Sequence, residues 1–365
     1  MSTLEELVHY CRQEKPVGAM ALYGESGCGK TYLIENELSE ALRDTHLIVR
    51  VSLFGIDSID ALHTAVKKQW LLTCSPFVTR LMDRYAFDEH RKGVLKAVGS
   101  LIQKVDPKAR MIASTISNPY EYIVIGPESM ASQNQERKKV VLVFDDTDRT
   151  KRDWMELFGA INDYCENQHF NTIIVAGGDF HDETDPAALA IIAAAKEKTV
   201  AYMTIHTPDY AKIVHSVIQG RTWKTDEYGR FLLDHEQTVL ELFASDHMAA
   251  MTRGVELRKH HNIRCLITGL EAFYRVYHHM TRAGVSELEP YLCAFLAFHL
   301  CTWSGITRNG KYCDDPADEE IRRLYPRFSP DHLFESVRRW ISFGYWDKAF
   351  FQEELSRIAA AEPQK

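Results

Sequence analysis

The residues best suited to chemistry lie near the start of the chain, in Gly24-Glu25-Ser26-Gly27-Cys28-Gly29-Lys30-Thr31. This run satisfies G-x-x-x-x-G-K-[ST] at every fixed position, the spacing of a loop that wraps polyphosphate. Phosphates are densely anionic, so the loop must turn several backbone N–H groups inward, and Gly24, Gly27 and Gly29 permit conformations that a Cβ obstructs. Lys30 can then reach β- and γ-phosphates while the Thr31 hydroxyl ligates Mg²⁺. Glu25, Ser26, Cys28 and Tyr32 complete the set expected to border the nucleotide. A Gly-rich turn can also be only a turn, and its setting decides between the two. Val17 to Tyr23 reads as a buried strand, and Leu33, Ile34, Leu38 and Leu42 share one helical face after the loop. The loop therefore feeds the positive end of a helix, a second attraction for phosphate.

A second chemical cluster follows the most strand-like run, Val140 to Phe144, in Asp145-Asp146-Thr147-Asp148-Arg149. This has the form of a Walker B element: a buried strand carries a carboxylate to its C-terminal end, where open α/β sheets bind ligands. Asp145 is the candidate partner of Mg²⁺, and Asp146 the candidate that orients or deprotonates an attacking water.

The elements that must position these groups can be read along the chain. Leu4, Leu7, Val8 and Cys11 mark an amphipathic first helix, and His46 to Phe54 a second strand, with Asp57 or Ser58 able to cap the next helix. Residues 75–138 read as an insertion, with a charged helical stretch from Phe77 to Val105 and an apolar island from Tyr122 to Ile125. Trp154 to Cys165 has helical spacing, Thr172 to Ala176 and Val200 to Ile205 supply two further strands, and Ala187 to Ala195 reads as a close-packed helix. Asp209 opens a helix holding Tyr210, Ile213, Val214 and Val217. Five apolar strands alternating with helices predict a mostly parallel five-stranded sheet covered on both faces, a three-layer α/β/α fold. From residue 216 strands disappear and helices dominate, including Asn262 to His279 and Asp331 to Gly344, the latter with Phe334, Val337, Trp340 and Ile341 on one face. The expected domains are 1–215 for nucleotide binding and 216–365 as a helical lid.

Composition narrows the alternatives. With 365 residues, 45% hydrophobic and 26% charged, the chain is an ordinary globular protein long enough for two domains. Its net charge of −8 argues against a generally basic nucleic-acid binder, though not against a local basic patch. The N-terminal residues lack a signal-peptide core, and the longest apolar stretch, Tyr291 to Trp303, is too short to span a bilayer and reads as a buried helix. Eight cysteines with no C-x-x-C pair fit reduced thiols and a cytoplasmic setting. No N-K-x-D or T-K-x-D guanine-reading element occurs, which favours ATP.

Taken with these motifs, Val51-Ser52-Leu53-Phe54-Gly55, the D-D-x-D-R form of the acidic turn, Gly159-Ala160-Ile161-Asn162 and Asn262-Ile263-Arg264 resemble the KAP family of P-loop NTPases, related to AAA+ and STAND ATPases. The resemblance implies an ATP- and Mg²⁺-dependent ATPase core with strands in AAA-like order and a helical lid. It makes Arg264 a γ-phosphate sensor and Arg149 an arginine finger or inter-subunit switch, hence a homo-oligomer and a downstream protein partner. Relatives include bacterial proteins that block phage growth. One departure stands out: Gly177-Gly178-Asp179 follows the fourth strand where relatives often carry Asn as a polar sensor. Bland readings remain for each carried-over group. Arg149 can neutralise its acidic neighbours, Arg264 can belong to a solvated helix end with Arg258, Lys259, His260 and His261, and Cys28 can be a small loop filler.

Three functions follow. The first is an ATPase switch or motor, the second a nucleotide-gated assembly scaffold with little hydrolysis. The third is a DNA-handling ATPase using basic helices at Ile321 to Arg327 and Val337 to Arg339.

Overall fold

The computed structural model describes residues 2–74, 138–147, 154–177, 193–194, 196–220, 226–244, 257–258, 261–304, 306–308, 311–313 and 317–361. The chain divides into two compact units, Met1–Gly24 with Gly29–Thr207, and Glu25–Cys28 with Pro208–Lys365. All of the expected insertion at 75–138 except Lys138, most of Ala187 to Ala195, and Asp148, Arg149, Gly178 and Asp179 lie outside the described residues.

The first unit is built on five parallel strands: β1 (Ala19–Tyr23), β2 (His46–Ser52), β3 (Lys139–Asp145), β4 (Asn171–Ala176) and β5 (Val200–Ile205), in the spatial order β2-β3-β4-β1-β5. Helices α1 (Thr3–Cys11), α2 (residues 30–42, with Leu33–Leu38 wound as a π-helix), α3 (Ile59–Cys74) and α4 (residues 154–167) cover it. The continuous apolar run of β3 is explained by burial on both faces. Val141 and Val143 join Leu7, Tyr10, Ile34 and Leu38 on one side. Val140, Leu142 and Phe144 join Leu62, Trp70, Phe158 and Ile161 on the other. Because all strands run the same way, the loop after β1 and the acidic turn after β3 leave the same edge of the sheet, although β4 separates the two strands.

Tyr10 ties α1 to this sheet. Its hydroxyl lies 2.9 Å from the Gly18 carbonyl and 3.0 Å from that of Thr172, and it accepts from the Thr172 N–H at 2.9 Å. Ser58 is the cap of α3, accepting from the Ala61 N–H at 3.1 Å. Six cysteines, at 11, 28, 165, 265, 293 and 301, are buried and not joined in disulfides, and burial pushes the Cys11 thiol up to about 12.

The second unit holds α5 (Tyr210–Gln219), α6 (Glu227–Asp234), α7 (Glu236–Ala244), α8 (Ile263–Arg282), α9 (Glu289–Ser304), α10 (Asp318–Leu324), α11 (Glu335–Phe343) and α12 (Lys348–Ala361). Asp209 caps α5 as expected, accepting from the Lys212 N–H at 3.0 Å. The disappearance of strands after residue 216 is corrected: β6 (Leu257–Arg258), β7 (Ile306–Arg308) and β8 (Lys311–Cys313) form a small antiparallel sheet. Strands of two or three residues show no readable period. Helix α11 starts later than read, at Glu335 with Phe334 as its N-cap, although Phe334 still joins Val337, Trp340 and Ile341 in one core; Gly344, at φ 73, ends that helix as read.

Helix α9 is apolar nearly all round and lies in the core of its unit, with Leu292, Phe295 and Leu296 buried. No helix among the described residues is long and apolar enough to cross a membrane. Gly269 on α8 admits α9 closely: a Cβ there would lie 2.9 Å from both His299 Cδ2 and Leu296 Cδ1. Burial pushes the His299 pKa down from 6.5 to about 4. The unfolded chain therefore binds a proton that the folded state refuses. The stability held by neutral His299 is complete above about pH 6.5 and is lost as pH falls toward 4, about 3 kcal/mol in all. Urea unfolding followed at pH 7.5 and 5 should show this loss, and His299→Gln should reduce the pH slope.

Candidate functional site

The sheet unit places Lys30, Thr31, Asp145 and Asp146 at one edge. Gly29, at φ 98, occupies the left-handed backbone region and turns the chain into α2, whose first turn carries Lys30 and Thr31. The Lys30 ammonium is buried and donates to the Gly24 carbonyl at 2.7 Å. Thr31 Oγ1 donates to Asp145 Oδ2 at 3.0 Å, so residues 114 positions apart meet at the sheet edge.

Asp145 is 6% exposed and held from three directions. Its Oδ1 accepts from the Asp146 N–H at 2.8 Å, its Oδ2 accepts from Thr31, and Arg50 Nε lies 3.4 Å from the same Oδ2. Arg50 Nε also lies 3.2 Å from Glu35 Oε1, near enough to pair charge but aligned as a hydrogen bond with neither carboxylate. Asp146 takes φ 58, a left-handed conformation uncommon outside glycine, and its Oδ2 accepts from Ser52 Oγ at 2.7 Å. Thr147, buried, anchors the turn by donating to the Val175 carbonyl at 2.9 Å. The two carboxylates thus have different settings, one buried and fixed, the other turned away by its backbone.

The middle of the glycine loop belongs to the second unit. The Ile263 N–H donates to the Gly27 carbonyl at 3.0 Å, which brings the start of α8 to the loop. Asn262 caps α8, its Oδ1 accepting from the N–H groups of Arg264 at 3.0 Å and Cys265 at 3.3 Å. Gly27, at φ 79, fits against this cap, since a Cβ would lie 2.5 Å from Asn262 Cγ and Oδ1. Gly27→Ala is therefore expected to cost roughly 2–3 kcal/mol, the sum of left-handed strain and a displaced helix cap. Chemical denaturation checks this.

Arg264 lies in the first turn of α8 with its side chain exposed. The basic stretch read as a solvated helix end includes His261, which is buried, 3.2 Å from Glu25 Oε2, with its ring 4.8 Å from that of Tyr210. Tyr32 is 57% exposed and Cys28 is buried. Arg149 lies outside the described residues. Sequence reasoning missed Arg50, Ser52, His261 and Asn262 in its cap role. Arg50 carried a signal, a lone charge within the apolar run Leu47 to Leu53.

The donor set fits a hard cation. A hydroxyl and a carboxylate oxygen, already drawn to one point, are the few protein oxygens Mg²⁺ needs when nucleotide phosphates and waters complete its octahedron. A glycine loop opening a helix after β1, a buried carboxylate after β3 and a parallel sheet joining them define a P-loop nucleotide-binding fold. A family model described as the KAP family P-loop domain matches residues 2–180, and this part of the chain belongs to that family. A comparison with curated proteins returns no match.

Proposed function

We propose that the protein is a Mg²⁺-dependent ATPase acting as a nucleotide-driven switch. The observation that carries this reading is the Thr31–Asp145 hydrogen bond at 3.0 Å, which unites the phosphate loop and the acidic turn. In this reading Lys30 holds the β- and γ-phosphates and the Thr31 hydroxyl ligates Mg²⁺, while Asp145 holds the ion's water. Asp146 orients the attacking water or takes its proton. Mg²⁺ supplies charge neutralisation across the β- and γ-oxygens when bound. Arg264 on α8, and Arg149 after Asp148, are the cations assigned to discriminate ATP from ADP. A γ-phosphate bound by such groups biases closed over open states by its differential affinity for them. The link from Gly27 to the cap of α8 supports a path from loop to helix. A homo-oligomer, a downstream protein partner and a role in bacterial defence complete the proposal and rest on family likeness.

The test is phosphate release at saturating ATP with Mg²⁺ and with EDTA. At least a hundredfold loss in EDTA is expected, and equal rates would remove the metal from the mechanism.

The scaffold reading is favoured by one observation: β4 ends at Ala176 and is followed by Gly177, which offers no side chain to place a water. It predicts tight ATP binding and self-assembly without measurable turnover.

A further inference from the structure

The helices that the sequence offers as a nucleic-acid surface are neutralised from within. Arg323 pairs with Glu319, Arg327 with Glu289 and Glu241, Arg338 with Asp318, and Arg339 with Glu335. Arg323 and Arg339 pair along their own helices, while Arg327 and Arg338 reach other helices of the unit, which disfavours that surface.

A different face carries two arginines against a single carboxylate, that of Glu271. A cavity of about 560 Å³ runs along α8, lined by Glu271, Tyr274, Arg275, His278, His279 and Arg282. Arg275 and Arg282 are exposed, and among the described residues neither has a carboxylate within ion-pair distance. Seven positions separate them, about 10 Å along a helix, so two fixed charges track the groove. Arg275 lies over the Trp340 ring, 5.3 Å from its centroid, which holds the guanidinium against α11. His279 sits between its ring contact with Trp346 and a 3.2 Å approach of Gln352 to its Nδ1. Burial first, then the charges of Lys348, Arg282 and His278, hold its pKa below the ordinary range. The buried His278 Nε2 has no hydrogen-bond partner among the described residues. Tyr274 is 36% exposed, its ring packed against those of His278 at 4.4 Å and Tyr228 at 5.2 Å, and the exposed part borders the groove.

We propose that this groove on α8 binds single-stranded nucleic acid, with Arg275 and Arg282 on successive phosphodiesters and Tyr274 against a base. Paired guanidiniums beside an exposed aromatic ring are the combination that follows a flexible strand, the cations taking the backbone and the ring taking a π-face. An acidic peptide would use the cations alone, and competition by polyglutamate separates the two. In a duplex the base faces are stacked on one another and closed to the ring. The proposal is independent of the nucleotide site, since none of these residues belongs to it.

The test uses the full chain and a fluorescein-labelled 20-nucleotide thymidylate strand, with anisotropy recorded across a salt series. Wild type is expected to bind with a negative log–log salt slope, and Arg275→Gln/Arg282→Gln should flatten that slope by about 1.4, near 0.7 for each phosphate no longer neutralised. Tyr274→Ala should weaken binding roughly tenfold. Arg282→Gln alone touches an exposed side chain, so it keeps the test valid if the double variant fails to fold; it should flatten the slope by about 0.7. No binding at low salt, a slope unchanged in Arg282→Gln, or equal competition by duplex DNA or by polyglutamate would overturn the proposal. Equal competition by inorganic polyphosphate would also overturn it, because charge alone would then suffice.

Discussion

Alanine at Lys30 is expected to weaken ATP binding at least a hundredfold while leaving the fold intact. The ammonium is buried and donates to the Gly24 carbonyl, a partner six positions away in the same loop. Its removal takes one charged donor from the loop and relieves a desolvated charge, and the two effects on stability oppose each other. With nucleotide the balance changes, because the ammonium then faces the phosphates. A hundredfold loss is about 2.7 kcal/mol. The measurement is stabilisation by ligand. ATP at a hundred times the wild-type Kd should stabilise wild type by about 2.7 kcal/mol, and the variant, whose Kd then equals that concentration, by about 0.4 kcal/mol. Equal stabilisation of both proteins would remove Lys30 from the phosphate site.

The second large effect is expected at Asp146. Asp146→Asn should lower single-turnover hydrolysis by roughly 10²–10⁴ and leave ATP affinity within a factor of about three. The substitution is selective for a backbone reason. Asp146 sits at φ 58, and asparagine is among the few residues that tolerate the left-handed region, so the turn after β3 survives. The amide oxygen can still accept from Ser52, whose hydroxyl lies 2.7 Å from Asp146 Oδ2. What the amide cannot do is take a proton from water. Asp145→Asn offers a contrast, since Asp145 accepts from Thr31 and from a backbone N–H and faces Arg50. There the loss should appear first in the Mg²⁺ dependence of binding. Identical single-turnover rates in wild type and Asp146→Asn would favour the scaffold reading.

The chain alone determined the parts whose signals are local. The glycine spacing of residues 24–31, the unbroken apolar run of β3 and the paired aspartates after it depend on neighbours a few positions away, and each appeared as read. Helix ends with a polar cap were legible for the same reason, as Ser58 and Asp209 show. Tertiary structure alone decided which distant groups meet. It inserted β4 between β1 and β3, and still brought Thr31 to Asp145 because parallel strands deliver their ends to one edge. It placed Arg50 beside Asp145 and Ser52 beside Asp146, neighbours set by the pairing of β2 with β3. It seated Gly27 against the Asn262 cap, and it paired Arg327 with Glu289 and Arg338 with Asp318 within the helical unit while leaving Arg275 and Arg282 exposed along α8. The reason is physical: spacing along the chain records the period of an element and the chemistry of its ends, whereas the partner of a charge depends on how separate elements pack.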